Sequence, residues 1–222
     1  MSHTVPGFYD AATNAVAVLV LLIEFGMLRQ ALLRDQVRLY AAQSLVISVL
    51  ALVVAASRAV PELYAVAGFS FVLKVVAVPW ALRRLVRGTN GEIAGSGRFG
   101  LATQVLLALV AGGFGFFVSG AFGISSTVLP ESAFGMSVAV FLVGFVMMVI
   151  RSDVISQSVG FFSLENGVSL AALVIAAGLP FILELVFLFD LLVAAVVFGV
   201  LIRVHHRSTA SLSTRPLTRL RG

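Results

Sequence analysis

Five charged residues lie inside long apolar segments of the chain, away from the segment ends where charges ordinarily occur. They are Glu24, Lys74, Glu165, Glu184 and Asp190. A charge at the centre of a bilayer costs about 2.5 to 3.5 kcal/mol on insertion scales, so it needs a partner, water or a functional role. Because ionisable residues within membranes commonly mark ion pathways, these five predict transfer of protons or cations.

The depth of each charge follows from its distance to the ends of its segment. At a rise of about 1.5 Å per residue, Lys74, Glu165 and Asp190 fall near the middle of their segments, whereas Glu184 is only 4 residues from Pro180 and belongs to the outer quarter. We therefore predict a proton relay formed by Lys74, Glu165 and Asp190, with Glu184 as the alternative second carboxylate. A structural pair between the lysine and a carboxylate is the competing interpretation.

Glu24 differs from the midplane charges because it lies 5 residues before Arg29. This spacing is typical of a carboxylate near the end of a span that an arginine compensates. We interpret Glu24 as such an interfacial residue.

Polar residues near these charges favour a relay over a bare salt bridge. Helical spacing places Ser158 and Ser169 on the face of Glu165, where hydroxyl groups can hold water. A further polar group on the second apolar segment comprises Gln43, Ser44 and Ser48. We predict that these residues mainly form interhelical hydrogen bonds, with contact to water as the second interpretation.

Lys74 shares its helical face with Ser70 and precedes Pro79 by five residues. Pro79 has no N–H to donate to the carbonyl group of Val75, so that carbonyl is freed close to the lysine. The spacing predicts a kink here, either as an ordinary feature of a membrane helix or as part of the relay.

The composition indicates that these charges lie in a membrane protein. The 222 residues are 60% apolar and 11% charged. Apolar runs of about 20 residues are the signature of transmembrane helices, and the first run is too long and too poor in preceding positive charge for a cleaved signal peptide. We predict an all-α integral membrane protein of about seven transmembrane helices, at residues 10–28, 39–57, 62–82, 100–121, 133–150, 154–178 and 181–202.

The arginines predict the orientation of these helices. With the N-terminus outside and the C-terminus cytoplasmic, 13 of the 14 arginines fall on the inner side and only Arg58 lies outside, as the positive-inside rule requires. A Gly-rich stretch at 87–98 interrupts the spans. We accordingly divide the chain into an N-terminal three-helix membrane segment (1–86), a flexible cytoplasmic loop (87–99), a four-helix membrane segment (100–204) and a basic C-terminal tail (205–222).

Several classes of function are excluded or disfavoured by composition. Without cysteine, the chain cannot bind a metal cluster through thiolates. The basic residues follow membrane topology, so nucleic acid is not an expected partner. His205 and His206 lie in the basic tail and are expected to be solvated. We therefore expect no cofactor, no metal site and no catalysis by this chain alone, although a role as a non-redox subunit of an oxidoreductase remains open.

Several sequence motifs resemble hydrogenase-4 component E, a membrane subunit of group 4 nickel-iron hydrogenases of the formate hydrogenlyase type. The most specific is residues 160–167 (GFFSLENG), followed by residues 178–180 (GLP), Glu184 and Asp190. Residues 40–45 (YAAQSL), Lys74 with Pro79, and the tail at 217–222 (LTRLRG) are also similar. The resemblance spans nearly the whole chain.

The last three spans also resemble the K subunit of complex I and the C subunit of multisubunit sodium/proton antiporters. These have one carboxylate on each of their last two helices. Glu165 matches the first of these, and depth favours Asp190 over Glu184 for the second.

The resemblance implies a multi-pass subunit of the cell inner (cytoplasmic) membrane that takes part in proton or Na⁺ translocation. Its expected partners are antiporter-like membrane subunits and a hydrogenase-like or other redox peripheral module. An alternative is a subunit of a multisubunit cation/proton antiporter or other complex I-related transporter without a hydrogenase. A self-contained transporter is disfavoured because no inverted repeat is evident, and a photoreceptor with a Schiff base on Lys74 is disfavoured because that lysine lies on the third span.

Overall fold

The structure is a computed structural model that describes residues 8–58, 61–87, 93, 99–122, 131–175 and 199. Within these residues the chain is helical, in agreement with the predicted fold class. The elements are α1 (Phe8–Arg29), α2 (Leu33–Arg58), α3 (Pro61–Ser70), a π-helical segment (Phe71–Ala77), α4 (Val78–Arg87), α5 (Leu101–Phe122), α6 (Glu131–Ile150) and α7 (Val154–Ile175). The predicted span at 181–202, with Glu184 and Asp190, lies outside the described residues.

Four stretches of the described chain are long and apolar enough to cross a membrane. They are Leu33–Ser57, Leu63–Val86, Leu101–Val118 and Ser132–Ile150. The second of these runs through α3, the π-helical segment and α4 without a break. Stretches of this length and composition support a membrane protein.

Helices α6 and α7 pack closely because glycines line their contact. A Cβ atom added at Gly167 would lie 2.6 Å from the backbone nitrogen of Phe141, and one at Gly160 would lie 2.7 Å from that of Met148. Small residues at an interface allow helix backbones to approach in this way when no hydrophobic driving force acts between them. This approach holds the polar face of α7 in place.

The glycine contact gives a stability prediction. We expect Gly167→Ala to destabilise the bundle by about 1 to 3 kcal/mol, because backbone rather than a flexible side chain occupies the space. Gly113→Ala is the matched control, since nothing lies within 4 Å of a Cβ there and alanine favours helix. Thermal unfolding of the purified protein in detergent compares the two variants. Equal unfolding temperatures would contradict the close packing.

The apolar core consists of two clusters with the polar side chains between them. One cluster contains Leu28, Leu33, Val86 and Ile150, near one end of the helices. The other contains residues near the opposite end, including Val54. The polar groups described below therefore lie at intermediate depth, where water is scarce and each polar group needs a partner.

Arg151 joins the connections at one end of the bundle. Its guanidinium group donates to the carbonyl oxygens of Leu28 and Gln30, which lie at the C-terminal end of α1, where a cation is favourable. Burial lowers the pKa of Arg151, and the nearby Asp153 opposes this effect. Arginine stays charged in proteins. A permanent positive charge therefore links the connection between α6 and α7 to the connection between α1 and α2.

The same end of the bundle is reinforced by the start of α7. The carboxylate of Asp153 accepts a hydrogen bond from the backbone nitrogen of Ser156 at 2.7 Å, which caps the helix. The hydroxyl group of Ser156 donates to Gln36 at 2.7 Å. Ile93 forms an isolated bridge with Leu32. Leu32 before α2 therefore meets Ile93, and the start of α7 meets α2, at the same end of the bundle.

Candidate functional site

Lys74 and Glu165 form an ion pair inside the bundle. The Nζ atom of Lys74 lies 2.7 Å from Oε1 of Glu165, and the two side chains are 1% and 13% exposed. Nζ also donates a hydrogen bond to the hydroxyl group of Ser169 at 2.7 Å. Two of the residues that the sequence singles out at the midplane are thus in direct contact, together with Ser169.

The helix that carries Lys74 widens into a π-helix at this position. The backbone N–H of Val78 donates to the carbonyl oxygen of Leu73, five residues back. Pro79 follows directly and has no N–H of its own, which explains why the α-helical pattern is interrupted here. The sequence predicts a freed carbonyl and a kink beside Pro79, and the structure has a π-helical segment directly before this proline. Such segments are frequent at functional sites, and Lys74 is the buried residue of this one.

A cavity of about 50 Å³ borders the ion pair. Its lining is mostly apolar, and its polar residues are Ser48, Ser70 and Ser169 in addition to Lys74 and Glu165. One water needs roughly 10 to 15 Å³ of such volume and two to four polar partners. The cavity therefore has the size and the lining to hold water next to both charges.

Glu24 lies in a second polar cluster, and its interpretation as an interfacial carboxylate is wrong. Its side chain is completely buried, and it forms no salt bridge with Arg29 or with any other described residue. Oε2 accepts hydrogen bonds from Gln43 Nε2 at 2.7 Å and from the Ser163 hydroxyl group. Helix α1 does end at Arg29, five residues after Glu24, but Gln43 of α2 and Ser163 of α7 bond the carboxyl group inside the bundle.

Neutral side chains of α2 and α7 complete this second cluster. Asn166 Nδ2 donates to Gln43 Oε1 at 3.0 Å and to the Ser44 hydroxyl group at 2.9 Å. Ser48 donates to the carbonyl oxygen of Ser44 within its own helix. The predicted interhelical bonding of α2 is confirmed for Gln43 and Ser44, while Ser48 lines the cavity.

Tyr40 lies between the two clusters. Its ring packs against Phe162 with the ring centroids 5.8 Å apart, and its hydroxyl group is beside Ser44 and within electrostatic range of Glu165. That hydroxyl has no hydrogen-bond partner among the described residues. Tyr40 thus places a donor and acceptor group close to both clusters.

Helix α7 supplies both clusters from two of its faces. Glu165 and Ser169, four residues apart, face Lys74, whereas Ser163 and Asn166, three residues apart, face Gln43. The spacing of three residues between Ser163 and Asn166 is visible in the sequence and could have predicted a second polar face of α7. Ser158, predicted on the Glu165 face, instead donates to the carbonyl oxygen of Val154; it does not line the cavity.

The groups assembled here are suited to exchanging protons. They comprise a carboxylate paired with an ammonium group, a second buried carboxyl group, hydroxyl groups and amides. Among the described residues, no three His, Cys, Asp or Glu side chains lie close enough to hold a metal ion. Proton transfer through carboxylates, hydroxyls and water is the chemistry that the arrangement permits.

Comparison with known proteins gives distant similarities. No family model matches the sequence, and no solved structure matches it significantly. The chain is 31% identical over 135 residues to an uncharacterized protein of Mycobacterium tuberculosis, covering 58% of this chain and 59% of that protein, which is less than two thirds of its length. It is 27% identical over 188 residues to hydrogenase-4 component E of Escherichia coli and of Shigella flexneri, covering 82% of this chain and 85% of theirs.

Proposed function

We propose that the chain is a membrane-arm subunit of an energy-converting, hydrogenase- or complex I-like assembly and that Lys74 and Glu165 transfer protons within it. The observation that carries the proposal is the buried ion pair, 2.7 Å from nitrogen to oxygen, beside a cavity whose lining includes hydroxyl groups. A buried pair is weak support for stability alone, because desolvation of both charges offsets their attraction. Its placement beside room for water favours a role in transfer.

The pair can change state without a large movement. Nζ of Lys74 has a second partner in Ser169 at 2.7 Å, so the ammonium group can weaken its bond to Glu165 while it keeps a hydrogen bond. Glu165 then accepts a proton from the cavity on its carboxylate. Renewed approach of the ammonium group favours the ionised carboxylate and releases the proton. A charge change in a neighbouring subunit supplies the bias.

The distant similarity to hydrogenase-4 component E, together with the four apolar helices, is consistent with a membrane subunit of an energy-converting complex. Antiporter-like membrane subunits and a redox peripheral module are the proposed partners. We place the chain in the cell inner membrane with seven spans, the N-terminus outside and the loop at 87–99 in the cytoplasm. Asp190, or alternatively Glu184, continues the relay in the last span.

A subunit of a cation/proton antiporter without a hydrogenase is the second candidate. The same ion pair serves either assembly, because both move cations past buried carboxylates. The partners distinguish the two candidates: a hydrogenase or other redox module belongs only to the first.

Co-purification tests the proposed assembly. We expect the tagged full-length chain, solubilised from its native membranes in mild detergent, to retain at least one larger antiporter-like subunit together with a redox module. Mass spectrometry identifies the partners, and an unrelated tagged membrane protein of similar size is the control. Antiporter-like subunits without redox proteins would support the second candidate. A chain that purifies alone and transports cations alone in liposomes would contradict both.

A further inference from the structure

The carboxyl group of Glu24 is buried without a counter-charge. Its Oε2 atom accepts two hydrogen bonds, from Gln43 and Ser163, while its Oε1 atom has no partner among the described residues. Isolated burial of an ionised carboxylate is costly, and such groups are found either paired or neutralised. The mechanism built on Lys74 and Glu165 makes no use of this group.

In the hydrogen-bond network around Glu24, the hydroxyl hydrogen of Ser163 has two possible acceptors. The Ser163 hydroxyl group is within bonding distance of both Glu24 Oε2 and Gln43 Oε1, the latter at 3.0 Å. A serine hydroxyl has a single hydrogen and also accepts. It can therefore donate to an ionised Glu24, or accept from a protonated Glu24 and donate to Gln43.

We propose that Glu24 binds and releases a proton and that the Ser163 hydroxyl group reverses its hydrogen bond as it does so. On binding, the proton joins Oε2, the new O–H donates to Ser163 Oγ, and the serine hydrogen turns to Gln43 Oε1. On release the three steps reverse, and the charge of Glu24 changes between zero and minus one. The Gln43 carbonyl oxygen retains its bond from Asn166 in both states.

This inference deepens and rests on the proposed function, because it extends the relay from α7 toward α1. Asn166 bonds Ser44, and Tyr40 lies beside Ser44 and within electrostatic range of Glu165. These side chains place polar groups between Glu24 and the ion pair, although the Tyr40 hydroxyl group has no hydrogen-bond partner among the described residues. Glu24 is then a second proton-binding carboxyl group on the same path.

Among the described residues, few ionisable groups lie near the polar cluster of Glu24. Tyr40 of α2 is within electrostatic range of Glu165 of α7, and Glu165 is paired with Lys74 of the π-helical segment. Among the other helices packed on α1, α5 has no ionisable residue, and α6 has only Glu131, at its first position. No described ionisable group bonds Glu24, so its protonation depends on its burial and on its hydrogen bonds with Gln43 and Ser163.

Infrared difference spectroscopy of the purified full-length protein in detergent tests the inference. A protonated carboxylic acid has a carbonyl band that the carboxylate lacks, so a pH titration reports Glu24 directly. We expect a band that appears and disappears reversibly with pH in the wild type and is absent from Glu24→Gln. Glu165→Gln should retain the Glu24 band, which separates this inference from the proposed function.

The role of Ser163 has its own variant and its own control. Ser163→Ala removes the donor to the ionised carboxylate, so the Glu24 band should appear at a pH about one unit higher or more. Ser158→Ala is the matched control, because Ser158 is equally buried on α7 but donates to the backbone of its own helix. An unchanged titration in Ser163→Ala, or a wild-type protein in which no carboxyl band depends on Glu24, would overturn the inference. If Glu165→Gln abolished translocation but the wild type had no Glu24 band, this inference would be overturned and the proposed function would stand.

Discussion

Glu165→Gln is expected to lower proton translocation by the assembled complex by at least about tenfold while leaving assembly intact. Glutamine keeps the shape of the side chain and one oxygen that can accept from Lys74, but it cannot carry the proton. Positioned proton-transfer groups contribute roughly 10² to 10⁴-fold in enzymes, which sets the scale of the loss. Because Glu165 Oε1 lies 2.7 Å from Lys74 Nζ, the substitution also removes the charge that orients the ammonium group.

Inverted membrane vesicles provide the measurement. Proton uptake is followed by quenching of a pH-sensitive dye, with hydrogen or formate as the electron donor according to the module that co-purifies. Asp35→Asn is the control, since Asp35 is a carboxylate paired with Arg38 on the exposed surface of α2, where an ion pair contributes little. A Glu165→Gln complex that assembles and translocates protons at the wild-type rate would show that the carboxylate is not a relay group.

Lys74→Met is expected to destabilise the protein by about 3 to 5 kcal/mol, because it leaves the carboxylate of Glu165 buried without its cation. Adding Glu165→Gln should recover most of this stability, since the double variant has no unpaired charge. Translocation should stay low in the double variant, because neither the proton-carrying carboxylate nor the ammonium group is present. Stability and transport are thus expected to separate.

A double-mutant cycle tests this separation. Unfolding temperatures in detergent and proton uptake in vesicles are measured for the wild type, both single variants and the double variant. Ser158→Ala is the matched control, because it removes a buried hydroxyl group of α7 that donates within its own helix and leaves the ion pair in place. If the double variant regained both stability and translocation, the pair would be a structural link between α7 and the π-helical segment.

The stability of this region depends on how closely the polar groups are matched. Buried hydrogen-bond networks are costly when any member is unsatisfied, and here the clusters lie beside a helix contact with almost no free space at Gly144 and Gly167. Close packing of α6 against α7 limits the rotation of α7. The side chains of Glu165 and Asn166 are therefore held toward different partners.

The sequence by itself predicts that charged residues lie within apolar helices, and it predicts their depth. Depth depends only on the number of residues between a charge and the end of its helix, because the rise per residue is constant. On this basis the sequence predicts Lys74 and Glu165 at similar depth, and the structure places them in contact. Glu24 shows where counting residues fails. Its distance from Arg29 predicts a position at the membrane surface, whereas side chains of α2 and α7 bury it inside the bundle.

The tertiary structure decided which side chains meet. Lys74 and Glu165 are far apart in the chain, and their contact depends on how each helix is rotated about its own axis and which helix lies beside it. Those angles follow from side-chain packing, such as the glycine contact between α6 and α7, rather than from local periodicity. The same dependence explains why Glu24, Ser163 and Asn166 form one cluster only in the folded bundle: they lie on two helices, and only the packing of these helices against α2 brings their polar faces together.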